Sequence, residues 1–85
     1  MGEGVTKIVE GGWNYYIVYI SASDLRFALG VGITIGEVFI KSKIISVVLG
    51  ILGLSLDRIE DGIWFHLNKF CGLSVGAKEP VVGLQ

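Results

Sequence analysis

Two long apolar blocks, Trp13 to Ile40 and Ile44 to Cys71, lie on either side of the short basic triplet Lys41-Ser42-Lys43. This near-mirror layout limits the possible folds more than any residue motif in the chain. Hydrophobic residues make up 52% of the sequence and charged residues 18%, which leaves little polar surface to solvate two long helices. The layout predicts an all-α fold: a membrane-type helical hairpin that gains stability by assembling with identical copies into a homopolymer. The expected single domain runs as an N-terminal segment 1–12, a first helix 13–40, a basic loop 41–43, a second helix 44–71 and an extended tail 72–85.

A chain of 85 residues buries only a modest core unless something staples it. A single cysteine, Cys71, has no disulfide partner within the chain, and His66 has no Cys or His at ligand spacing with which to hold zinc. No metal or cofactor is expected beyond bound membrane lipid. A net charge of −1 and a pI near 5.7 supply no broad basic field to attract nucleic acid. At the start of the chain Lys7 is bracketed by Glu3 and Glu10, unlike the basic start and direct apolar run of a cleaved leader. The segment from Met1 to Thr6 fits the myristoylation pattern only loosely.

Gly32 with Gly36, and Ser42 with Ser46 and Gly50, repeat small residues every four positions, the spacing that lets helix backbones approach closely. Folding the chain back about Ser42 sets Asp24 and Arg26 level with Arg58 and Glu60. With Asp57 and Asp61 these form a charged belt of ion pairs within or between chains. The same folding sets Trp13, Tyr15, Tyr16 and Tyr19 against Phe65, Trp64, His66 and Phe70 as one aromatic layer. As helices, residues 27–40 and 44–56 extend about 20 Å each, short of the roughly 30 Å of bilayer hydrocarbon. An assembly in which neighbouring copies shield the belt from acyl chains resolves that shortfall. Lys41 and Lys43 then face cytosol or lipid phosphates at the hairpin tip.

The remaining polar residues have simple structural readings. Asp57, Glu60 and Asp61 lack the nearby nucleophile and orienting group of an acid/base site and read as surface or ion-paired residues. No catalytic residues are expected, so the chain is read as a non-enzyme. Glu37 precedes Lys41 by four positions and pairs with it more simply than it carries ions. His66 reads as a hydrogen-bonding residue rather than a haem ligand, and Cys71 as a small apolar residue rather than a nucleophile. The aromatics read as packing, because a stacking platform for single-stranded nucleic acid also needs a basic groove. β-Branched residues also permit strands over 13–21 and 32–43, which would make a small soluble module.

Over residues 13–72 the layout of two apolar segments about the Lys41–Lys43 loop resembles the pilins of conjugation-type secretion systems, bacterial and archaeal. The resemblance implies storage in the cell membrane followed by extraction with lipid into a hollow helical filament on the cell surface. It implies lumen-facing Lys41 and Lys43 at lipid headgroups, with Gly32, Gly36, Ser46 and Gly50 in helix packing. Its implied partners are further copies of the chain, membrane lipid, the secretion and assembly machinery, and DNA as transported cargo. Alternatives of the same architecture are a holin-like or other small pore-forming protein and an accessory subunit of a membrane complex.

Overall fold

Tyr15–Ser21 is a run of aromatic and β-branched residues, Tyr-Tyr-Ile-Val-Tyr-Ile, ending in serine. Its side chains alternate between a buried and a half-buried set. Gly62–Asn68 alternates in the same way. Residues of this kind lose little by extending and gain by packing on a pleated surface. In a computed structural model, which describes residues 4–68, 72–73 and 82–85, these two segments pair antiparallel, from Tyr15 opposite Asn68 to Ser21 opposite Gly62.

The main sheet grows outward from that pair. Strand β1 (Lys7–Glu10) joins β2 (Tyr15–Ser21) through a turn at Gly11-Gly12, with Lys7 opposite Tyr19 and Val9 opposite Ile17. A helix α1 (Ala22–Val31), a hairpin of β3 (Ile33–Ile35) and β4 (Val38–Ile40), a helix α2 (Ser42–Leu52) and a 3-10 turn (Leu56–Arg58) follow. The chain then re-enters the sheet as β5 (Gly62–Asn68). The far side of β5 is shared by β6 (Gly72–Leu73) at one end and β7 (Val82–Leu84) at the other.

Local chemistry sets these boundaries. Ser21 caps α1, its Oγ accepting from the Asp24 N–H, and a side-chain oxygen at this position satisfies a donor that the helix itself cannot. Gly32 closes α1 at φ 81° and Gly53 closes α2 at φ 70°, ψ 26°, a left-handed cap that glycine adopts without strain. Both helices lie on one face of the sheet. Leu25, Ala28, Ile45 and Val48 meet Val18, Ile20, Ile63, Phe65, Leu67 and Val82, while Ile35, Ile40 and Ile59 complete the core.

The all-α helical hairpin is therefore corrected to a small α+β domain. The segment expected as a first helix, 13–40, contains β2, α1, β3 and β4, and the segment 44–71 contains most of α2 and then β5. Two causes are visible. Glycines at 32 and 53 stop each helix after about three turns, and the aromatic, β-branched segments on either side alternate with the period of a strand. The longer helix, α2, has 11 residues, about 16 Å. Among the described residues no helix is long and apolar enough to cross a membrane. The expected transmembrane helix, residence in the cell membrane and cell-surface helical filament are corrected with it, because all three required the missing long helices.

Candidate functional site

In an antiparallel sheet, directly opposed residues share a face and alternate ones point away. Helices cover the face bearing Val18, Ile20, Ile63 and Phe65. Beyond the Ser21–Gly62 pair at its edge, the opposite, outer face therefore carries three rows of side chains. Lys7, Tyr19, Trp64 and Gly83 make one row; Val9, Ile17 and His66 make the middle one; Tyr15 and Asn68 make the third. From Tyr15 to Tyr19 on β2 and from Trp64 to Asn68 on β5, these residues are half-buried, while those across the sheet such as Val18 and Phe65 are fully buried.

The rings on this face touch one another. Tyr15 stacks on His66 with centroids 4.9 Å apart and planes inclined by 29°. Trp64 approaches the other side of the cluster, tilted at 44° and 5.7 Å from His66. The Lys7 ammonium sits 5.2 Å from the centre of the Tyr19 ring, a cation–π placement that holds a charge over aromatic surface. Gly83 is opposite Trp64, and a Cβ there would fall 2.5 Å from the indole Nε1. The indole thus lies across bare backbone, and any larger residue at 83 would push it away. Tyr15 rests on Gly11 likewise, where a Cβ would come within 2.3 Å of the ring.

The face is rich in rings and poor in charge. Lys7 is the one formally charged side chain among the described residues of the three rows at neutral pH. Trp13, in the β1–β2 turn, is 81% exposed.

A polar staple fixes the margin of this surface. The Gln85 amide nitrogen donates to the carbonyls of Val5 (2.9 Å), Ile20 (3.1 Å) and Ile63 (3.0 Å), and its oxygen accepts from the Val5 N–H at 2.9 Å. Its own backbone N–H donates to the Gly62 carbonyl. One side chain thus ties the approach to β1 to β2, β5 and β7. Nearby, the Thr6 hydroxyl bonds the Asp24 carboxylate and accepts from the Ser21 N–H at 2.9 Å, anchoring the start of α1.

The residues singled out from sequence are dispersed. Lys41 is the N-cap of α2 and Lys43 lies in its first turn, both exposed. Gly32 is the buried cap of α1, whereas Gly36 sits at φ 62° in the β3–β4 turn. Ser46 and Gly50 occupy the exposed side of α2. Of the expected belt, Asp24 engages Thr6, Arg26 is exposed on α1, and Asp57 lies exposed in the 3-10 turn. Arg58, Glu60 and Asp61 do come together, lining an open recess of about 200 Å³ with Gly62, Leu84 and Gln85. Lys69, Phe70 and Cys71 lie outside the described residues.

Assigning the rings to helices groups Trp13, Tyr15, Tyr16 and Tyr19 with Phe65, Trp64, His66 and Phe70 in one layer, whereas the strand pairing puts Tyr15, Tyr19, Trp64 and His66 on the outer face and Tyr16 and Phe65 on the other. The signal that locates the outer face is the alternation in Tyr15–Ser21 and Gly62–Asn68, where each segment sends every second aromatic to the same side. No family model, curated protein or solved structure matches the chain.

Proposed function

We propose that this chain is a non-enzymatic interaction module that docks a protein surface through the outer face of its sheet. The observation carrying this reading is the contiguous Tyr15, Tyr19, Trp64 and His66 cluster, with Lys7 the single formal charge among the described residues of its rows. Tyr and Trp are enriched, and charged residues depleted, at the buried centres of protein interfaces, where rigid rings contribute large area at low entropic cost. Nucleic acid fits less well. Base stacking on aromatics operates together with a cationic groove that tracks phosphate, and this chain has a net charge of −1. A catalytic use of His66 is also disfavoured, because its described ring neighbours are Tyr15 and Trp64 rather than a nucleophile and an orienting carboxylate.

The test is photo-crosslinking in the expressing cell from Tyr19→p-benzoylphenylalanine, with the same probe at Arg26 on the opposite, helical side as the control. Protein adducts from position 19 that are weak or missing from position 26 are the expected result. Adducts to nucleic acid alone, or no adducts from position 19, would overturn the proposal.

A further inference from the structure

We infer that Gly11, Gly12 and Gly83 are positioning residues of the docking face: their bare backbone lets Tyr15 and Trp64 lie low against the sheet, and that placement decides what the face receives. The inference deepens the docking role proposed above and rests on it.

Three groups of glycine are distinguishable here by what a side chain would meet. Those at 4, 32, 36, 53 and 62 have positive φ, a backbone that other residues rarely adopt. At Gly30 and Gly50 a Cβ would meet nothing within 4 Å. Gly11, Gly12 and Gly83 belong to neither group. Their φ lies outside the positive region, so the backbone suits alanine, yet a Cβ at each would fall less than 3.0 Å from a side-chain atom. The nearest atoms all belong to Tyr15, Ile17 and Trp64, three residues of the outer face.

Each ring lies over a glycine that its own backbone faces. Gly83 pairs with Trp64, and a Cβ there would lie 2.5 Å from the indole Nε1, 2.7 Å from Cε2 and 2.8 Å from Cζ2. The N–H groups of Gly11 and Gly12 both donate to the Tyr15 carbonyl, at 3.2 and 3.3 Å. A Cβ on Gly11 would meet Cε2 of the Tyr15 ring and one on Gly12 would meet Cε1 at 2.8 Å, so the ring spans the turn from edge to edge. An aromatic folded over a cross-strand glycine covers backbone that the missing side chain leaves bare. Both seats act on one cluster, because Tyr15 and Trp64 approach His66 at 4.9 and 5.7 Å. The β1–β2 turn thus fixes one end of the three-ring run and β7 fixes the other.

A methyl group at 83 would make the indole retreat by about 1 Å to reach ordinary van der Waals contact. Side-chain rotation can absorb that shift, since Trp64 is half-buried on the open face and its obstructed atoms are those of the ring. Interface centres pack as closely as protein interiors. The substitution therefore removes complementarity from the face while the fold persists.

The test places Gly83→Ala in a chain carrying Trp13→Phe, which leaves Trp64 as the single indole. Leu84→Ala is the control on the same strand, at a position paired with Ile63 and outside the ring rows. Gly83→Ala is expected to move the Trp64 emission to longer wavelength with unchanged circular dichroism. Gly83→Ala and Gly11→Ala are each expected to lower the yield of protein adducts from p-benzoylphenylalanine at position 19 at least about fivefold. Leu84→Ala should change neither reading, and Gly83→Ala added to Trp64→Ala should cause no further loss of adducts. Unshifted emission, or a further loss as large in the Trp64→Ala background, overturns the positioning role. If Gly83→Ala does not fold, Trp64→Ala in the same chain decides: restored folding assigns the obstruction to the ring and supports the inference, and continued unfolding overturns it. If adducts from position 19 persist in either glycine variant, the inference fails and the docking role stands. If position 19 of the parent chain yields no protein adduct, both fail.

Discussion

At the scale of single residues, Gln85 concentrates much of the fold's polar connectivity in one side chain. Its amide nitrogen has two hydrogens and three carbonyl acceptors, those of Val5, Ile20 and Ile63, so one hydrogen is shared. Truncation to alanine would leave carbonyls of two adjacent strands without this donor at a partly buried site. Gln85→Ala is expected to lower stability by about 1–3 kcal/mol, read as a lower urea midpoint at unchanged slope. Little of this was legible in the sequence, since a glutamine in a stretch rich in glycine and valine carries no periodic signal. Its role depends on β7 pairing with β5 and bringing position 85 beside position 62. Asp24 teaches a related lesson. Folding about Ser42 sets it level with Arg58 and Glu60 in a charged belt; in the first turn of α1 its carboxylate takes the Thr6 hydroxyl.

Among the elements, the helices illustrate how one residue type serves opposite purposes. Gly50 lies inside α2 with no atom within 4 Å of a built Cβ, whereas Gly53, three positions later, caps the helix at φ 70°. Gly50→Ala is expected to stabilise the chain by about 0.5–1 kcal/mol, because alanine favours helical backbone there and meets no obstacle. Gly53→Ala is expected to destabilise it by about 1 kcal/mol, since a side chain strains the left-handed cap. Thermal midpoints moving in opposite directions provide the check, and equal shifts would refute the assignment of the cap. The sequence did reveal the small-residue spacing, but spacing alone does not separate a helix interface from a helix terminus. It does not locate a bend, because Ser42 opens α2 rather than forming a hairpin tip. Folding about Ser42 pairs residues whose numbers sum to 84, whereas the β2–β5 pairs sum to 83, as Tyr19 with Trp64 shows. A one-residue slip reverses the faces of a strand, so Tyr16 and Phe65 of the expected aromatic layer lie on the helix-covered side while Tyr15, Tyr19, Trp64 and His66 share the outer one. Apolar segments this short satisfy helical and extended periods alike, and the decision fell to β-branching and glycine stops rather than to total hydrophobicity.

For the molecule as a whole, high hydrophobicity is accommodated by layering. One sheet face and one side of each helix are buried together, and the surplus apolar surface remains on the outer sheet face and at Phe27, Val31, Val47 and Ile51 on the helices. The Cα radius of gyration is 11.7 Å, close to the roughly 12 Å expected for a folded domain of this length. The Gln85 staple adds a topological consequence. Since this residue grips Val5, the opening and closing stretches of the polypeptide meet at one place, while the exposed bend at Gly36-Glu37 lies in a separate two-stranded hairpin. Rearranged connectivity is expected to be tolerated: a gene that links position 85 to position 1 through a short flexible spacer and begins at Glu37 should encode the same architecture. Its far-ultraviolet spectrum should overlay that of the parent, and a random-coil spectrum would show that the order of synthesis matters more than the meeting of the ends.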